Sequence, residues 1–377
     1  MSMDRQPRRP VAASNAPGAA SSAPPTPLDQ GHMLAAVRSL PDQIDAAWAA
    51  RTTLALPWSS NMFDHIVVLG MGGSAIGGDL AANALADHLP VPMVVVRDDR
   101  LPRWVTARTL IIGISVSGET AETLSAWSAA LERGCAAVAI TRGGELAARA
   151  RAAGAQWILL PDGGPPRAAL GHTFTRLVAI LDHLQLVDGI GSMLDEAVGA
   201  MRALVAADGR ADRSTHGSAT LAVDESGATP AAIAARIAGS LPIVYVPAGL
   251  EAVGRRWKAQ LNENAKIAAG YDCAPELHHN SVVPYAPPGD AVPAAPVHPT
   301  LLCPAGDKTM ALTARLLDDF EQPYSTVRAP ILRSRLAQAL WLVQFGDLVS
   351  VHLAFQRGVD PTPIEAIGRI KALRTRG

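Results

Sequence analysis

The sequence predicts an α/β protein with two domains, each a parallel sheet flanked by helices. Three observations support this prediction. Short apolar segments alternate with helical segments along most of the 377 residues, which is typical of a parallel sheet covered on both faces. A hydrophobic content of 49% is enough to bury substantial cores, and a chain of this length favours two domains. A glycine-rich turn also joins the first apolar segment of the series to a helix.

The first predicted domain spans residues 28–207. Before it, residues 1–27 are rich in Ala, Pro, Ser and Arg, a composition that predicts a disordered tail. Residues 28–58 have a helical pattern that we expect to break near Pro41, because proline cannot donate the helical hydrogen bond. The predicted strands are 65–69, 91–97, 109–114, 136–141 and 156–160, and the predicted helices include 75–86, 121–133, 173–186 and 188–205.

The second predicted domain spans residues 230–377. Residues 208–229 are polar and rich in turn formers, so they are predicted to be a linker or a surface excursion between the domains. The two halves read as sheets of the same kind, although the first strand-to-helix turn of the second half, YVPAGLEAVG (245–254), contains no serine. The predicted strands are 241–247, 298–303 and 323–327, with a helix within 249–269, a helix at 308–319 and a long helix from about 331.

Charge and cysteine content narrow the functional classes. The formal net charge is −1 and the isoelectric point is near 6.8, so we expect neither a nucleic-acid partner nor an anionic membrane partner. No run of about 18 uninterrupted apolar residues predicts a membrane span, and no signal-peptide pattern is present. The three cysteines have no metal-ligand spacing, and such sparse cysteines suit a reducing cytoplasm.

The turn after the first predicted strand, here called the glycine turn (Gly70–Ser74), has the composition of an anion site. Gly72 and Gly73 lack a Cβ atom, so the chain can turn tightly and a bulky group can approach the main chain. Ser74 stands where the next helix is predicted to begin. Unpaired backbone N–H groups and the helix dipole attract an anion to such a place, usually a phosphate.

Two other interpretations of the glycine turn remain open at this point. The pattern G-x-G-x-x-A that begins at Gly70 matches the dinucleotide-binding fingerprint. Asp98 and Asp99 follow the second predicted strand, roughly where a ribose-binding acid is expected. The same glycines also suit a strand-to-helix turn that binds no ligand.

A second loop favours a compact monophosphate over a dinucleotide. The third predicted strand runs into the serine loop (Ser115–Thr120), which has hydroxyl groups at Ser115, Ser117 and Thr120. Together with backbone N–H groups, three hydroxyls can surround the oxygens of one phosphate without a lysine. The alternative is a helix cap formed by Ser117, which accounts for one hydroxyl but not for all three.

Six motifs occur in an order that resembles a known family. They are GMGGSAIGGD (70–79), SVSGET (115–120), PRAALGHTF (166–174), NENAK (262–266), ELHHN (276–280) and GVDPTPIEAI (358–367). From about residue 30 to its end, the chain resembles the bifunctional phosphoglucose/phosphomannose isomerases of bacteria and archaea, which are built from sugar-isomerase (SIS) domains.

The resemblance implies both a fold and an activity. The fold would be two SIS-type domains, each a three-layer sandwich. The activity would be interconversion of glucose 6-phosphate or mannose 6-phosphate with fructose 6-phosphate through a cis-enediol(ate), with no metal and no nucleotide cofactor. The resemblance also implies a homodimer whose active sites are shared across the interface. Because the second half lacks the serines of the first, we expect the phosphate site in the first half and the reacting groups largely in the second. A non-catalytic phosphosugar sensor and an NAD(P)-dependent dehydrogenase remain as alternatives, although no effector domain is evident in the sequence.

Glu263 is the predicted base that moves a proton between C1 and C2 of the sugar. The core stripe of its predicted helix repeats every four residues, at Val253, Trp257, Leu261 and Ala265. Glu263 lies off that stripe, about 200° from Leu261 at ~100° per residue. A solvent-exposed glutamate would fit the same pattern, and the resemblance of NENAK to the family favours the base.

Four further residues receive roles from the resemblance. Arg167 is the predicted stabiliser of the enediolate, because its guanidinium is permanently charged. His279 is expected to open the sugar ring from across the dimer interface, and Lys371 in the C-terminal helix to assist it. Thr362 is expected to leave room for either C2 epimer. The adjacent histidines His278 and His279 have no further ligands at metal spacing, so no metal site is predicted.

Glu119 departs from the pattern of the family, many of whose members have asparagine at this position of the serine loop. A carboxylate beside a bound phosphate would repel it unless the side chain is turned outward or paired. The orientation of Glu119 therefore bears directly on the predicted phosphate site.

Overall fold

The computed structural model describes residues 28–213, 228–286 and 296–374. Over these residues the predicted α/β architecture is confirmed, because two parallel sheets are each flanked by helices. The predicted tail at 1–27 lies outside the described residues, and so do residues 214–227 of the predicted linker.

The first sheet consists of β1 (His65–Leu69), β2 (Met93–Val96), β3 (Thr109–Ile114), β4 (Ala136–Thr141) and β5 (Gln156–Leu159). All its strands are parallel, in the order β2-β1-β3-β4-β5. The three inner strands have the predicted bounds, whereas the edge strands β2 and β5 are shorter and expose alternate side chains. The direction of winding reverses between β1 and β3. A crevice therefore opens at their carboxyl ends, where ligands of open α/β sheets bind.

The helices of the first half are α1 (Met33–Arg38), α2 (Leu40–Ala49), α3 (Gly72–Ala84), α4 (Ala121–Glu132), α5 (Gly144–Ala152), α6 (Leu170–His183) and α7 (Ile190–Arg213). The predicted break near Pro41 is confirmed, since Pro41 lies in the first turn of α2. α3 packs very closely on the sheet at Gly78. A Cβ atom there would come within 2.9 Å of Val68 and 3.0 Å of Val95, so this approach depends on glycine.

α7 is longer than the sequence predicts. It ends at Arg213, beyond its predicted end at residue 205, and so extends into the segment that was predicted to be a linker or a surface excursion. Asp208 is 2% exposed and accepts hydrogen bonds from Arg38 Nε at 2.9 Å and from His352 Nε2 at 2.6 Å. These tertiary contacts hold a helix where the local composition indicates a turn.

The second sheet consists of β6 (Leu241–Pro247), β7 (Gly270–Ala274), β8 (Val297–Cys303) and β9 (Ser325–Arg328). It is parallel in the order β7-β6-β8-β9, which is the order of the first four strands of the first sheet. The two halves therefore share one topology, as predicted. No strand was predicted between residues 247 and 298. This prediction is wrong, because β7 lies there. The helices of this half are α8 (Pro230–Ile237), α9 (Glu251–Glu263), α10 (Thr309–Asp319), α11 (Arg335–Gln356) and α12 (Glu365–Arg374).

α11 is the central helix of the molecule. It packs against α1, α3, α7, α8 and α9, and so contacts both halves. By length and composition alone it could cross a membrane. However, 94% of its most apolar window is buried in the protein, as expected for the core helix of a globular fold.

Candidate active site

The glycine turn and the serine loop lie side by side at the carboxyl edge of the first sheet. They follow β1 and β3, which are neighbours in the sheet. A Cβ atom on Gly70 would lie 3.1 Å from the carbonyl oxygen of Ile114, the residue just before the serine loop. The two turns predicted to bind phosphate therefore meet at the crevice between β1 and β3.

The hydroxyl groups of the serine loop organise the loop itself. Ser115 is 1% exposed, and its Oγ lies 3.0 Å from Thr120 Oγ1 and accepts the Gly118 N–H at 3.1 Å. Ser117 Oγ accepts the Glu119 N–H at 3.2 Å. Thr120, not Ser117, occupies the cap position of α4, and its side chain makes no capping hydrogen bond. Helix capping therefore does not account for these hydroxyls.

Glu119 is turned away from the pocket of the serine loop. Its Oε1 accepts the backbone N–H of Glu145 at 3.0 Å, in the first turn of α5. A carboxylate at a helix N-terminus is favoured by the helix dipole. The Glu119 carboxylate, although it departs from the family pattern, is thus paired inside the protein. It does not place an unpaired negative charge beside a phosphate.

The glycine turn contacts the segment that carries Arg167. Gly72 has a left-handed φ of +49°, and α3 begins there, so Ser74 lies within the first turn of the helix and not at its start. A Cβ atom on Gly73 would lie 3.1 Å from the Cα of Arg167. Only glycine lets the two backbones approach this closely without displacement.

Arg167 joins the two halves of the chain. It is 5% exposed and lies in a 3-10 turn at Pro166–Ala168. Its Nε donates to Asn264 Oδ1 at 2.8 Å, and its Nη2 donates to the carbonyl oxygens of Pro361 at 2.7 Å and Thr362 at 2.9 Å. Its Nη1 lies 3.8 Å from Glu263 Oε2. Burial lowers the pKa of Arg167 and the charge of Glu263 opposes this, but an arginine remains protonated in either case.

Glu263 is the last residue of α9 and stands between two cavities. Its side chain is 25% exposed. A small cavity of about 90 Å³ lies on one side and is lined by Gly72, Gly73, Ile76, Arg97, Arg167, Arg255, Arg256, Ala259, Gln260 and Glu263. A larger cavity of about 560 Å³ lies on the other side, between the end of α9 and the start of α12. The carboxylate can therefore face a small ligand that enters from the larger cavity.

The structure does not bring His279 to this site within one chain. His279 is exposed in a 3-10 turn at Glu276–His279, and its imidazole makes no hydrogen bond or ion pair with another residue in the described ranges. Its neighbour His278 packs inward, and His278 Nε2 lies 2.8 Å from Thr313 Oγ1. Lys371 lies in α12, and its side chain is outside the described part of the structure.

Thr362 meets the site through its main chain. Its carbonyl oxygen accepts from Arg167, and its N–H donates to Asp360 Oδ1 at 2.8 Å. Its side chain lies against Gly31, at the start of the described chain. The structure therefore gives Thr362 a contact with Arg167 and none with Glu263.

Lys266 belongs to the site but received no role from the sequence. Its Nζ donates to the carbonyl oxygens of Glu263 and, at 3.0 Å, of Pro361. Burial lowers the pKa of Lys266, and the charge of Arg167 lowers it further. The signal was present in the NENAK motif, which contains Glu263, Asn264 and Lys266 together.

Three more arginines, Arg97, Arg255 and Arg256, line the small cavity without having been predicted. Arg97 follows β2 and Arg255 lies on α9, and both pair with Asp79 of α3, Arg255 at 3.5 Å. The acids proposed for a ribose, Asp98 and Asp99, are exposed and lie near Arg100 on the surface. The small cavity is therefore lined by guanidinium groups, a donor set that suits an anionic ligand.

Two family models match parts of this chain. Residues 63–153 match the family described as "SIS domain", and residues 228–373 match the "Bacterial phospho-glucose isomerase C-terminal SIS domain". The C-terminal domain of glucosamine-fructose-6-phosphate aminotransferase from Francisella tularensis has a similar fold. Its TM-score is 0.63 at 14% identity, and the match covers 89% of this chain and 98% of that one.

Two curated relatives are similar over most of the sequence. The bifunctional phosphoglucose/phosphomannose isomerase of Caldicellulosiruptor bescii is 32% identical over 343 residues, which covers 90% of this chain and 98% of the relative. The protein of the same name from Aquifex aeolicus is 32% identical over 321 residues, covering 82% and 90%. This chain therefore belongs to the bifunctional phosphoglucose/phosphomannose isomerase family.

Proposed function

We propose that this chain interconverts glucose 6-phosphate and mannose 6-phosphate with fructose 6-phosphate. One observation carries the proposal: the Glu263 carboxylate and the Arg167 guanidinium meet at 3.8 Å beside the glycine turn. An aldose–ketose isomerase needs a carboxylate to move a proton and a cation to stabilise the charge that develops. The names of the curated relatives support the same reaction and the same hexose phosphates.

The phosphate group of the substrate is proposed to bind at the serine loop. Ser115, Ser117 and Thr120 supply hydroxyl groups there, and the first turn of α3 supplies the N–H groups of Gly72 and Gly73 and the positive end of its dipole. Ser74, whose N–H already donates to the Met71 carbonyl oxygen at 3.0 Å, is proposed to contribute its hydroxyl group. Burial of Ser115 and the outward turn of Glu119 support this role. Holding the phosphate in this crevice directs the sugar carbons towards the second half of the chain.

Glu263 is proposed to remove the proton from C1 or C2 and return it to the other carbon. The intermediate is a cis-enediol(ate), whose oxygen carries the negative charge that develops. Arg167 faces this region with Nη1, while its Nε and Nη2 are held by Asn264, Pro361 and Thr362. A guanidinium fixed in this way stabilises the intermediate without reorganising during the reaction.

The proposed reaction needs no external oxidant and no metal. It moves hydrogen within one molecule, so aldose and ketose have the same overall oxidation state. We therefore propose an enzyme without a nicotinamide cofactor, active in the cytoplasm, where hexose phosphates are available and where three sparse cysteines suit the reducing conditions.

Ring opening is proposed to use His279 of a second copy, together with Lys371. The exposure of His279, and the lack of a contact between His279 and Glu263 within the described ranges, support a partner subunit as its place of action. α12 exposes an apolar stripe, Ile367, Ile370 and Leu373, beside the larger cavity. Such a stripe suits coverage by another subunit, and we propose a homodimer with shared sites.

The test is a coupled assay in metal-free buffer with each hexose 6-phosphate as substrate. We expect wild-type turnover with glucose 6-phosphate and mannose 6-phosphate, and a loss of about 10²–10⁴-fold in kcat for Glu263→Gln, which keeps the shape of the side chain but not the base. Wild-type turnover by this variant would show that Glu263 is not the base. Tight hexose-phosphate binding without turnover would favour a sensor, and binding of NAD(P)H in a fluorescence titration would favour a dehydrogenase.

A further inference from the structure

The buried helix α11 fixes both the main chain and the side chain of Arg167. The first of two hydrogen-bond relays (Asp347–Arg256–Arg167) begins on α11. Arg256 donates from Nε to Asp347 Oδ1 at 3.0 Å and from Nη2 to Asp347 Oδ2 at 2.6 Å. The same Nη2 donates to the backbone carbonyl oxygen of Arg167 at 2.9 Å. This relay therefore fixes the main chain of Arg167.

The second relay (Ser350–Asn264–Arg167) fixes its side chain. Asn264 Nδ2 donates to Ser350 Oγ at 2.9 Å, and Asn264 Oδ1 accepts from Arg167 Nε at 2.8 Å. The hydroxyl of Ser350 donates in turn to the carbonyl oxygen of Asp347 at 2.6 Å. The amide of Asn264 thus cannot rotate without losing a partner on each side.

Both relays start from one face of α11, because residues three apart are neighbours on a helix surface. All four intermediate side chains are almost fully buried, with exposures of 2% for Asp347, 3% for Arg256, and 0% for Asn264 and Ser350. None of the cavities beside Glu263 is lined by Asp347 or Ser350. These two residues can therefore influence a bound sugar only through their neighbours, which are Arg256, Asn264 and Arg167 in the two relays and Gln260 beside Asp347.

Packing alone does not account for these polar groups. A buried ion pair is often no more stabilising than apolar residues of the same volume, because both charges must leave water. A fully connected network, in contrast, holds its members in one arrangement. What the two relays hold in common is the position of Arg167, with Nη1 directed at Glu263.

We propose that Asp347 and Ser350 are positioning residues that orient Arg167 for stabilisation of the enediolate. The inference rests on the function proposed above for Arg167. It identifies α11, none of whose residues lines either cavity beside Glu263, as the element that sets the direction of the Arg167 side chain.

The test compares two serine-to-alanine substitutions on the same helix. Ser350→Ala removes the anchor of Asn264. Ser334→Ala is the matched control: Ser334 caps the start of α11 by accepting the Ala337 N–H at 3.0 Å, and it bonds to Glu196, away from Arg167. We expect both variants to lower the melting temperature, whereas only Ser350→Ala lowers kcat, by about tenfold as for a slightly misplaced catalytic group. Equal kinetics for the two variants would overturn the inference.

A double-mutant cycle separates positioning from general loosening of the fold. In an Arg167→Lys background the fork held by Asn264 is absent, so Ser350→Ala should have no further effect on kcat. The same tenfold loss in both backgrounds would show that Ser350 acts elsewhere. Asp347→Asn serves as the second variant if it folds, and Ser350→Ala alone decides if it does not.

The cycle also distinguishes failure of this inference from failure of the proposed function. If Arg167→Lys keeps the wild-type rate, the role proposed for Arg167 is wrong and the inference fails with it. If Arg167→Lys is slow but Ser350→Ala is as fast as Ser334→Ala, only the inference fails.

Discussion

A single side chain, Arg167, is where the two halves of the chain meet. It donates hydrogen bonds to Asn264 and to two backbone carbonyl oxygens, and it forms an ion pair with the carboxylate of Glu263. Because neighbours fix Nε and Nη2, Nη1 is left to face the region where charge would develop. A lysine could not reproduce this fork, since its ammonium is a point charge on a flexible stem.

Gly73 is predicted to be essential for the placement of Arg167. In Gly73→Ala the new Cβ would lie 3.1 Å from the Arg167 Cα, so one of the two backbones must shift. We expect kcat/KM for glucose 6-phosphate to fall about tenfold or more, as for other small displacements at reacting groups. The matched control is Gly199→Ala on the exposed face of α7, where a Cβ meets nothing within 4 Å. This control should keep wild-type kinetics and gain about 0.5–1 kcal/mol in stability. Equal kinetics for the two variants would contradict the prediction.

Sequence motifs predicted the role of a residue only where its position within a motif was sufficient to assign that role. Glu263 and Arg167 were predicted from separate motifs, and the structure brings them together. Lys266 and Asn264 were not assigned roles, because their importance depends on partners far away in the sequence, such as Pro361 and Ser350. The action of His279 stays a prediction, since it depends on a second subunit.

Secondary structure was predicted well where the pattern of apolar residues was strong. Strands β1, β3, β4 and β6 have the predicted bounds, since nearly all of their residues are buried. β7 was missed because it is an edge strand whose first four residues are half-buried, which leaves neither an apolar run nor an alternation. The end of α7 was missed because burial of Asp208 between α1 and α11 is a tertiary effect that local composition does not report.

The contacts of Asp208 predict a pH-dependent stability. Burial raises the pKa of Asp208, but the hydrogen bond and charge of His352, with those of Arg38, lower it overall from its ordinary value of 3.8. A lowered folded-state pKa adds stability that is fully present above the unfolded value and is lost as the pH falls through the folded value. Asp208→Asn should therefore lower the free energy of unfolding at pH 7 by about 2 kcal/mol, and by less below about pH 4.

Urea unfolding of the wild type and the variant at pH 7 and near pH 3 measures this difference. The control is Asp195→Asn, an exposed aspartate on the same helix that makes no ion pair with other residues in the described ranges. This control should be nearly neutral at both pH values. A deficit of Asp208→Asn that grows on acidification would contradict the assigned sign.

At the scale of the whole molecule, one topology occurs twice but only the first copy has the serine loop. In the second half, the N-terminus of α9 bonds to Asn83 of the first half, through the Ala252 N–H at 2.9 Å. The N-terminus of α9, which corresponds to that of α3 in the first half, thus joins the two halves. The C-terminal end of α9 supplies Glu263. The fold could be predicted from the sequence because this alternation is regular, but the placement of the site between the halves required coordinates.

Subunit mixing tests the proposed sharing of sites. Glu263→Gln and His279→Ala should each be nearly inactive alone. In a mixed dimer, one site would combine the intact Glu263 of one subunit with the intact His279 of the other. Refolding the two variants together at equal amounts should therefore restore about a quarter of the wild-type activity, since half of the dimers are mixed and each has one working site. Absence of recovery, with mixed dimers confirmed by differently tagged subunits, would contradict a shared site.

Gly31 packs on Thr362, and the start of α12 lines the cavity beside Glu263. The first and last segments of the described chain are thus both within the neighbourhood of the reaction. A truncation that removes Gly31 would therefore take away the packing partner of Thr362, whose carbonyl oxygen accepts a hydrogen bond from Arg167.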